Sequence, residues 1–66
     1  MKLEINGKEY IAGRDVTVQK LMEEFKLDLK STAVAVNKSI VPKSSYGDFV
    51  LRENDKIDVV TIAPGG

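Results

Sequence analysis

The sequence predicts an α+β domain: a mixed sheet of four to five strands with one main helix packed across one face. Three observations carry that expectation. Leu3 and Ile5 alternate with Lys2, Glu4 and Asn6 ahead of Asn6-Gly7, the pattern of a half-buried strand entering a tight hairpin. Val18, Leu21, Met22 and Phe25 fall at the i, i+3, i+4 and i+7 spacing of one helical stripe, which requires a sheet to cover it. The remaining apolar runs, at 33–36, 40–41 and 57–62, are short, rich in β-branched residues and bounded by turn residues.

Taken in order, the first strand spans residues 1–6 and pairs with a second that carries Tyr10 and Ile11 and ends near Gly13-Arg14-Asp15. Thr17 is placed to cap the helix that follows. Gln19, Lys20, Glu23 and Glu24 occupy its other face, a solvated surface whose adjacent carboxylates do not converge on one substrate atom. Ala33-Val34-Ala35-Val36 has no polar interruption, as expected of a central strand covered on both faces. Asn37-Lys38-Ser39 turns the chain into Ile40-Val41, a short strand stopped by Pro42. A loop with Tyr46, Gly47 and Phe49 leads to Leu51, then to the turn Arg52-Glu53-Asn54-Asp55 and a final strand with Ile57, Val59, Val60 and Ile62. Residues 13–32 are long enough to form the crossover that a parallel strand pair needs.

Size and composition narrow the function. A chain of 66 residues makes one compact domain with little room for a deep catalytic cleft. Ten basic residues balance ten acidic ones, so no net field draws nucleic acid or an anionic membrane. There is no cysteine and no histidine, which excludes disulfides, a thiolate nucleophile, a Cys/His zinc site and an imidazole base. Tyr10 and Tyr46 are expected to pack, and an enzyme in its own right is the least favoured class. The opening residues are too polar for a secretory segment and no apolar run reaches membrane-spanning length, so a cytoplasmic location is expected.

The distinctive chemistry lies in residues 63–66, expected to form a flexible tail on a domain of residues 1–62. Thr61-Ile62-Ala63-Pro64-Gly65-Gly66 passes from a strand into a segment with no charge and no bulky side chain. Pro64 holds Ala63 extended, and the glycines, having no Cβ, can follow a narrow channel. Taken alone, two final glycines are equally well a frayed terminus. On a domain lacking catalytic side chains, however, a carboxylate on Gly66 is the one reactive group left. It is inert until a partner enzyme converts it with ATP to an acyl adenylate, from which sulfur or nitrogen displaces AMP. The chain itself would bind no cofactor and no metal.

These features together resemble a known family, the ubiquitin-like β-grasp sulfur carriers of thiamine thiazole biosynthesis, over essentially the whole chain. The features that carry the resemblance are the strand at 1–6, Thr17-Val18 leading into Leu21-Met22, Val34-Ala35-Val36-Asn37 running to Ile40-Val41-Pro42, Asn54-Asp55-Lys56-Ile57, and Gly65-Gly66. The resemblance implies that Gly66 is adenylated by a partner adenylyltransferase, converted to a thiocarboxylate with sulfur from a cysteine desulfurase pathway, and delivered to thiazole synthase. The related carrier of molybdopterin synthesis shares the fold and the diglycine, and stays open beside it. So do a noncovalent ubiquitin-like interaction module, and a modifier joined through Gly66 to lysine amines.

Alternation along the last strand sets a further expectation. If Ile57 and Val59 face the core, Val60 and Ile62 do not, and they form a docking patch beside the tail that Phe49 and Leu51 extend. The competing expectation is a strand covered on both faces; exposure of Val60 and Ile62 decides between them. Arg14 and Arg52, beside turns, are either docking groups for an acidic partner or simply solvated.

Overall fold

The computed structural model describes residues 1–61. Strands β1 (Lys2–Ile5) and β2 (Lys8–Ile11) form an antiparallel hairpin, followed by helix α1 (Val18–Glu24), strand β3 (Thr32–Val36), the short strand β4 (Ser39–Ile40) and strand β5 (Lys56–Thr61). The two hairpin turns are built alike. Asn6 and Gly7 have φ of 50° and 82°, and Asn37 and Lys38 have φ of 51° and 71°, the paired left-handed residues whose twist matches that of the flanking strands.

Together the strands make one five-stranded sheet in the order β2-β1-β5-β3-β4. β5 is the central strand, parallel to β1 through Ile5–Ile57 and antiparallel to β3 from Val36–Ile57 to Thr32–Thr61. The topology is that of the ubiquitin-like β-grasp. The crossover at residues 13–32 does return the chain in the β2 direction, but β2 and β3 are not neighbours. β1 and β5 lie between them, and the parallel contact joins β1 to β5 instead. A one-helix connection long enough to cross the sheet leaves space for the last strand to insert.

Thr17 caps α1 as expected, its extended backbone presenting Oγ1 to the Lys20 N–H at 3.1 Å. Val18, Leu21 and Met22 press against Leu3, Ile5, Val34, Val36 and Ile57 from the sheet, and Ala12, Val16, Val41, Tyr46 and Leu51 close the ends of this core. Gln19, Lys20, Glu23 and Glu24 are exposed. The fourth residue of the predicted stripe departs from it. α1 ends at Glu24, Lys26 takes φ of 55°, and Phe25 is 41% exposed, stacked edge-to-face on Tyr10 with ring centroids 5.2 Å apart. A helix of two turns is too short to carry its i+7 position into the core.

The expectation that β3 is covered on both faces is corrected in the same way. Thr32, Val34 and Val36 are buried under α1, while Ala33 and Ala35 are only partly buried on the other face. That run lacks polar residues because small apolar side chains occupy the uncovered side, not because a second layer lies over it.

Candidate functional site

β5 leads directly into residues 62–66, so the site is built around the end of this strand. Ile62, Ala63, Pro64, Gly65 and Gly66, where the sequence places the tail and its reacting carboxylate, lie outside the described residues. What the structure positions is the strand before them and the surface beside it.

Two asparagines hold β5 along its length. At its start, Asn37 accepts from the Lys56 N–H through Oδ1 at 3.0 Å, and its Nδ2 donates to Asp55 Oδ1 at 3.0 Å. The Asn37 N–H also donates to the Lys56 carbonyl at 2.7 Å. Further along, Asn6 Oδ1 accepts from the Val59 N–H at 2.8 Å. Each asparagine therefore serves a hairpin turn and grips the strand between the hairpins. Sequence reasoning assigned both to turns alone; the turns were legible, their left-handed backbone and their reach to a strand distant in sequence were not.

On the face of the sheet away from α1, Val60 stands opposite Ala33, and Ala35 stands opposite both Asp58 and Ile40. Val60 is 55% exposed and Ile40 71% exposed, with the two partly buried alanines between them. This makes a shallow apolar strip across β5, β3 and β4, ending at Val60 one residue before the last described position. Charged residues flank it: Asp58 and Lys56 on β5, Glu4 on β1, then Lys2 and Glu9, which pair at 3.1 Å. Exposure of Val60 decides in favour of an open face, even though β5 is central in the sheet. Ile40, Ala33 and Ala35 were not singled out from the sequence; the alanines alternating with Val34 and Val36 were the available signal.

Phe49 and Leu51 do not extend this strip. Leu51 is 2% exposed and belongs to the core, because its N–H donates to the Val16 carbonyl at 2.8 Å and draws the loop across the start of α1. Phe49 is half-buried against the same core and lines an open cleft with Val36, Asn37, Val50 and Asp55, near the start of β5 rather than its end. Arg52 lines that cleft too, and Arg14 is exposed on the connection to α1. Tyr46 is buried as expected, whereas Tyr10 is half-buried and donates to Glu24 Oε2 at 2.8 Å, a bond to a carboxylate that raises its phenol pKa. No helix among the described residues is long and apolar enough to cross a membrane.

Comparison with known proteins places this geometry. The model of the ThiS family matches residues 3–66. The chain belongs to the ThiS family. The match runs through Gly65 and Gly66. Among curated relatives of this ThiS-family chain, a thiazole synthase of Paramagnetospirillum magneticum (strain ATCC 700264 / AMB-1) is 41% identical over all 66 residues, which make up 20% of that protein. A thiazole synthase of Magnetococcus marinus (strain ATCC BAA-1437 / JCM 17883 / MC-1) is 35% identical over the same span, again 20% of its length. The chain thus spans about a fifth of these two relatives. An uncharacterized protein, ycf40, of Trieres chinensis is 31% identical over 62 residues, covering 85% of it. The crystal structure of a thiamine biosynthesis protein (ThiS) from Geobacter metallireducens superposes over the whole of both chains with a TM-score of 0.88 at 19% identity, which establishes the shared fold.

Proposed function

We propose that this chain is a sulfur carrier in the formation of the thiazole moiety of thiamine, a protein co-substrate rather than a catalyst. The observation that carries the reading is a family match running through Gly65-Gly66, on a domain whose central strand ends at Thr61 beside an exposed apolar strip. A carrier needs two things from its own residues: a thin segment that reaches a partner's reaction centre, and a fixed surface that docks the body while the segment is inserted. Gly65 and Gly66, preceded by Ala63 and Pro64, supply the first. Val60 with Ala33, Ala35 and Ile40 supplies the second.

The chemistry proceeds in two balanced steps. The Gly66 carboxylate attacks the α-phosphorus of ATP in the partner adenylyltransferase, forming the acyl adenylate and releasing pyrophosphate. Sulfide, released by a thiol reductant from the persulfide that a cysteine desulfurase pathway supplies, then attacks the acyl carbon and AMP leaves, so that one carboxylate oxygen is replaced by sulfur and the reductant departs as a disulfide. The thiocarboxylate is the form presented to thiazole synthase. That two curated thiazole synthases contain a stretch similar to the whole of this chain supports thiazole synthase as the receiving partner, and supports the thiamine branch over the molybdopterin one.

Intact-protein mass after incubation with a carrier-type adenylyltransferase, ATP and a sulfur donor tests the reading, beginning with the protein isolated from its own cells to verify that Gly66 carries a free carboxylate. A gain equal to the exchange of one oxygen for sulfur at Gly66 is expected, absent from a Gly66-deleted control. Gly66→Val is expected to abolish the gain while leaving the thermal transition unchanged. A folded protein with a free Gly66 that never gains sulfur overturns the proposal and favours a noncovalent binding module.

A further inference from the structure

The parallel ladder between β1 and β5 ends in an unusual rung. Along it, the Glu4 N–H donates to the Asp55 carbonyl at 3.0 Å and the Asn6 N–H to the Ile57 carbonyl at 2.9 Å. In a regular parallel ladder the next bond would run from the Val59 N–H to the backbone carbonyl of Asn6. Asn6, at φ of 50°, has already left the strand to form the hairpin turn, and the Val59 N–H is taken up at 2.8 Å by Asn6 Oδ1 instead. The side-chain amide thus stands in for the main-chain carbonyl that the turn has carried away, and extends the ladder by one rung.

We propose that Asn6 is a positioning residue for the end of β5: its side chain clamps the strand from the β1 side at Val59 and so fixes the course of Val60 and Thr61, the last described residues before the diglycine segment. Without that rung, β5 beyond Ile57 is tied to the sheet through β3 alone and can pivot about that single edge. Few residues satisfy both demands at once. The position needs tolerance for left-handed φ and an acceptor one carbon beyond Cβ, which asparagine and aspartate provide, glycine meets only in the first respect, and alanine in neither. This role rests on the carrier reading for its purpose, but its structural content stands apart from it.

The test uses Asn6→Gly, which keeps the turn and deletes the acceptor, and Asn6→Asp, which keeps both. Thr17→Ala, which removes the α1 cap at another place in the fold, serves as a control for general destabilisation. Amide hydrogen exchange at Val59 is expected to quicken roughly three- to tenfold in Asn6→Gly beyond any change common to the core amides, and to stay near the wild-type rate in Asn6→Asp. Residual dipolar couplings at Val60 and Thr61 are expected to shrink in Asn6→Gly only. Pyrophosphate release with a carrier-type adenylyltransferase is expected to show a several-fold higher KM for the Asn6→Gly carrier with kcat unchanged, and no KM change for Thr17→Ala. Unaltered Val59 exchange and Val60–Thr61 couplings in Asn6→Gly overturn the clamp, as does an equal rise in KM for Asn6→Gly and Thr17→Ala. Absence of pyrophosphate release with wild-type protein counts against the carrier reading alone, because exchange and couplings decide the clamp with no partner present.

Discussion

The two faces of the sheet are made by the same strands, one residue out of step. On one, Leu3, Ile5, Val34, Val36 and Ile57 are sealed beneath α1; on the other, Glu4, Lys56 and Asp58 stand beside Ala33, Ala35, Ile40 and Val60. Charge separates the two faces along β1 and β5, but both faces of β3 carry apolar residues, Val34 and Val36 on one and Ala33 and Ala35 on the other, so hydrophobicity alone does not distinguish them there. Size does. The covered face uses branched side chains large enough to fill the space under a helix, whereas the open face of β3 uses alanines, which leave the strip between Val60 and Ile40 low and accessible. The difference teaches that substitutions one position apart on β5 should fail in different ways, the first through folding and the second through recognition.

The largest effect is expected on the covered face. Ile57→Ala deletes a side chain buried between both neighbouring strands and α1, and is expected to cost about 2–5 kcal/mol. In a domain of this size that lowers Tm by roughly 10 °C or more, measurable by calorimetry. Val60→Lys, three residues on, is expected to change stability by no more than about 0.5 kcal/mol. The same substitution is expected to weaken binding to a carrier-type adenylyltransferase by about tenfold or more, read by titration calorimetry. Unchanged affinity in Val60→Lys would break the comparison and move docking to another surface.

The smallest effect sharpens the comparison at the connection from α1 to β3. Asp28 accepts from the Lys30 N–H at 3.0 Å and from the Ser31 hydroxyl at 3.1 Å, and these bonds hold its carboxyl below the ordinary range. The Asp28 carbonyl accepts from the hydroxyl of Thr32, the first covered residue of β3. A carboxyl whose folded-state pKa is depressed contributes stability that is present above its unfolded pKa and is lost as pH falls through the folded one. Acid titration is therefore expected to show a small loss of stability in that window, which Asp28→Asn removes.

Much of the fold was legible because its signals are local. Asn6-Gly7 announces the first hairpin, Thr17 the helix start, and Asn54-Asp55 the turn into β5, each within a few residues of the structure it specifies. The places where the sequence misled are those decided by distant partners. Leu51 closes the short apolar run Phe49-Val50-Leu51, and nothing nearby announces that the Val16 carbonyl and the bridge between Thr17 and Val50 draw it, rather than Val50, into the core. Phe25 continues the helical spacing, and only the end of α1 at Glu24 turns it toward Tyr10. The insertion of β5 between β1 and β3 follows from the closure of the whole sheet, which no window of the sequence contains. Of the candidate site, the diglycine and Val60 were visible in the sequence; the companions of Val60 became visible only once β3 and β4 were laid beside it.

The place of β5 also sets the order in which the molecule can assemble. The β1–β2 and β3–β4 hairpins each close over a few residues, but the rung between Asn6 and Val59 joins positions 53 apart in the chain. Local pieces form quickly, and long-range pairing waits on the loss of chain entropy needed to bring remote segments together. A nascent chain that has not yet released residues 56–61 from the ribosome holds two hairpins and a helix with no strand to unite them. The domain therefore completes itself only with the strand that precedes the diglycine, so a chain stalled earlier lacks the strand that unites its two hairpins.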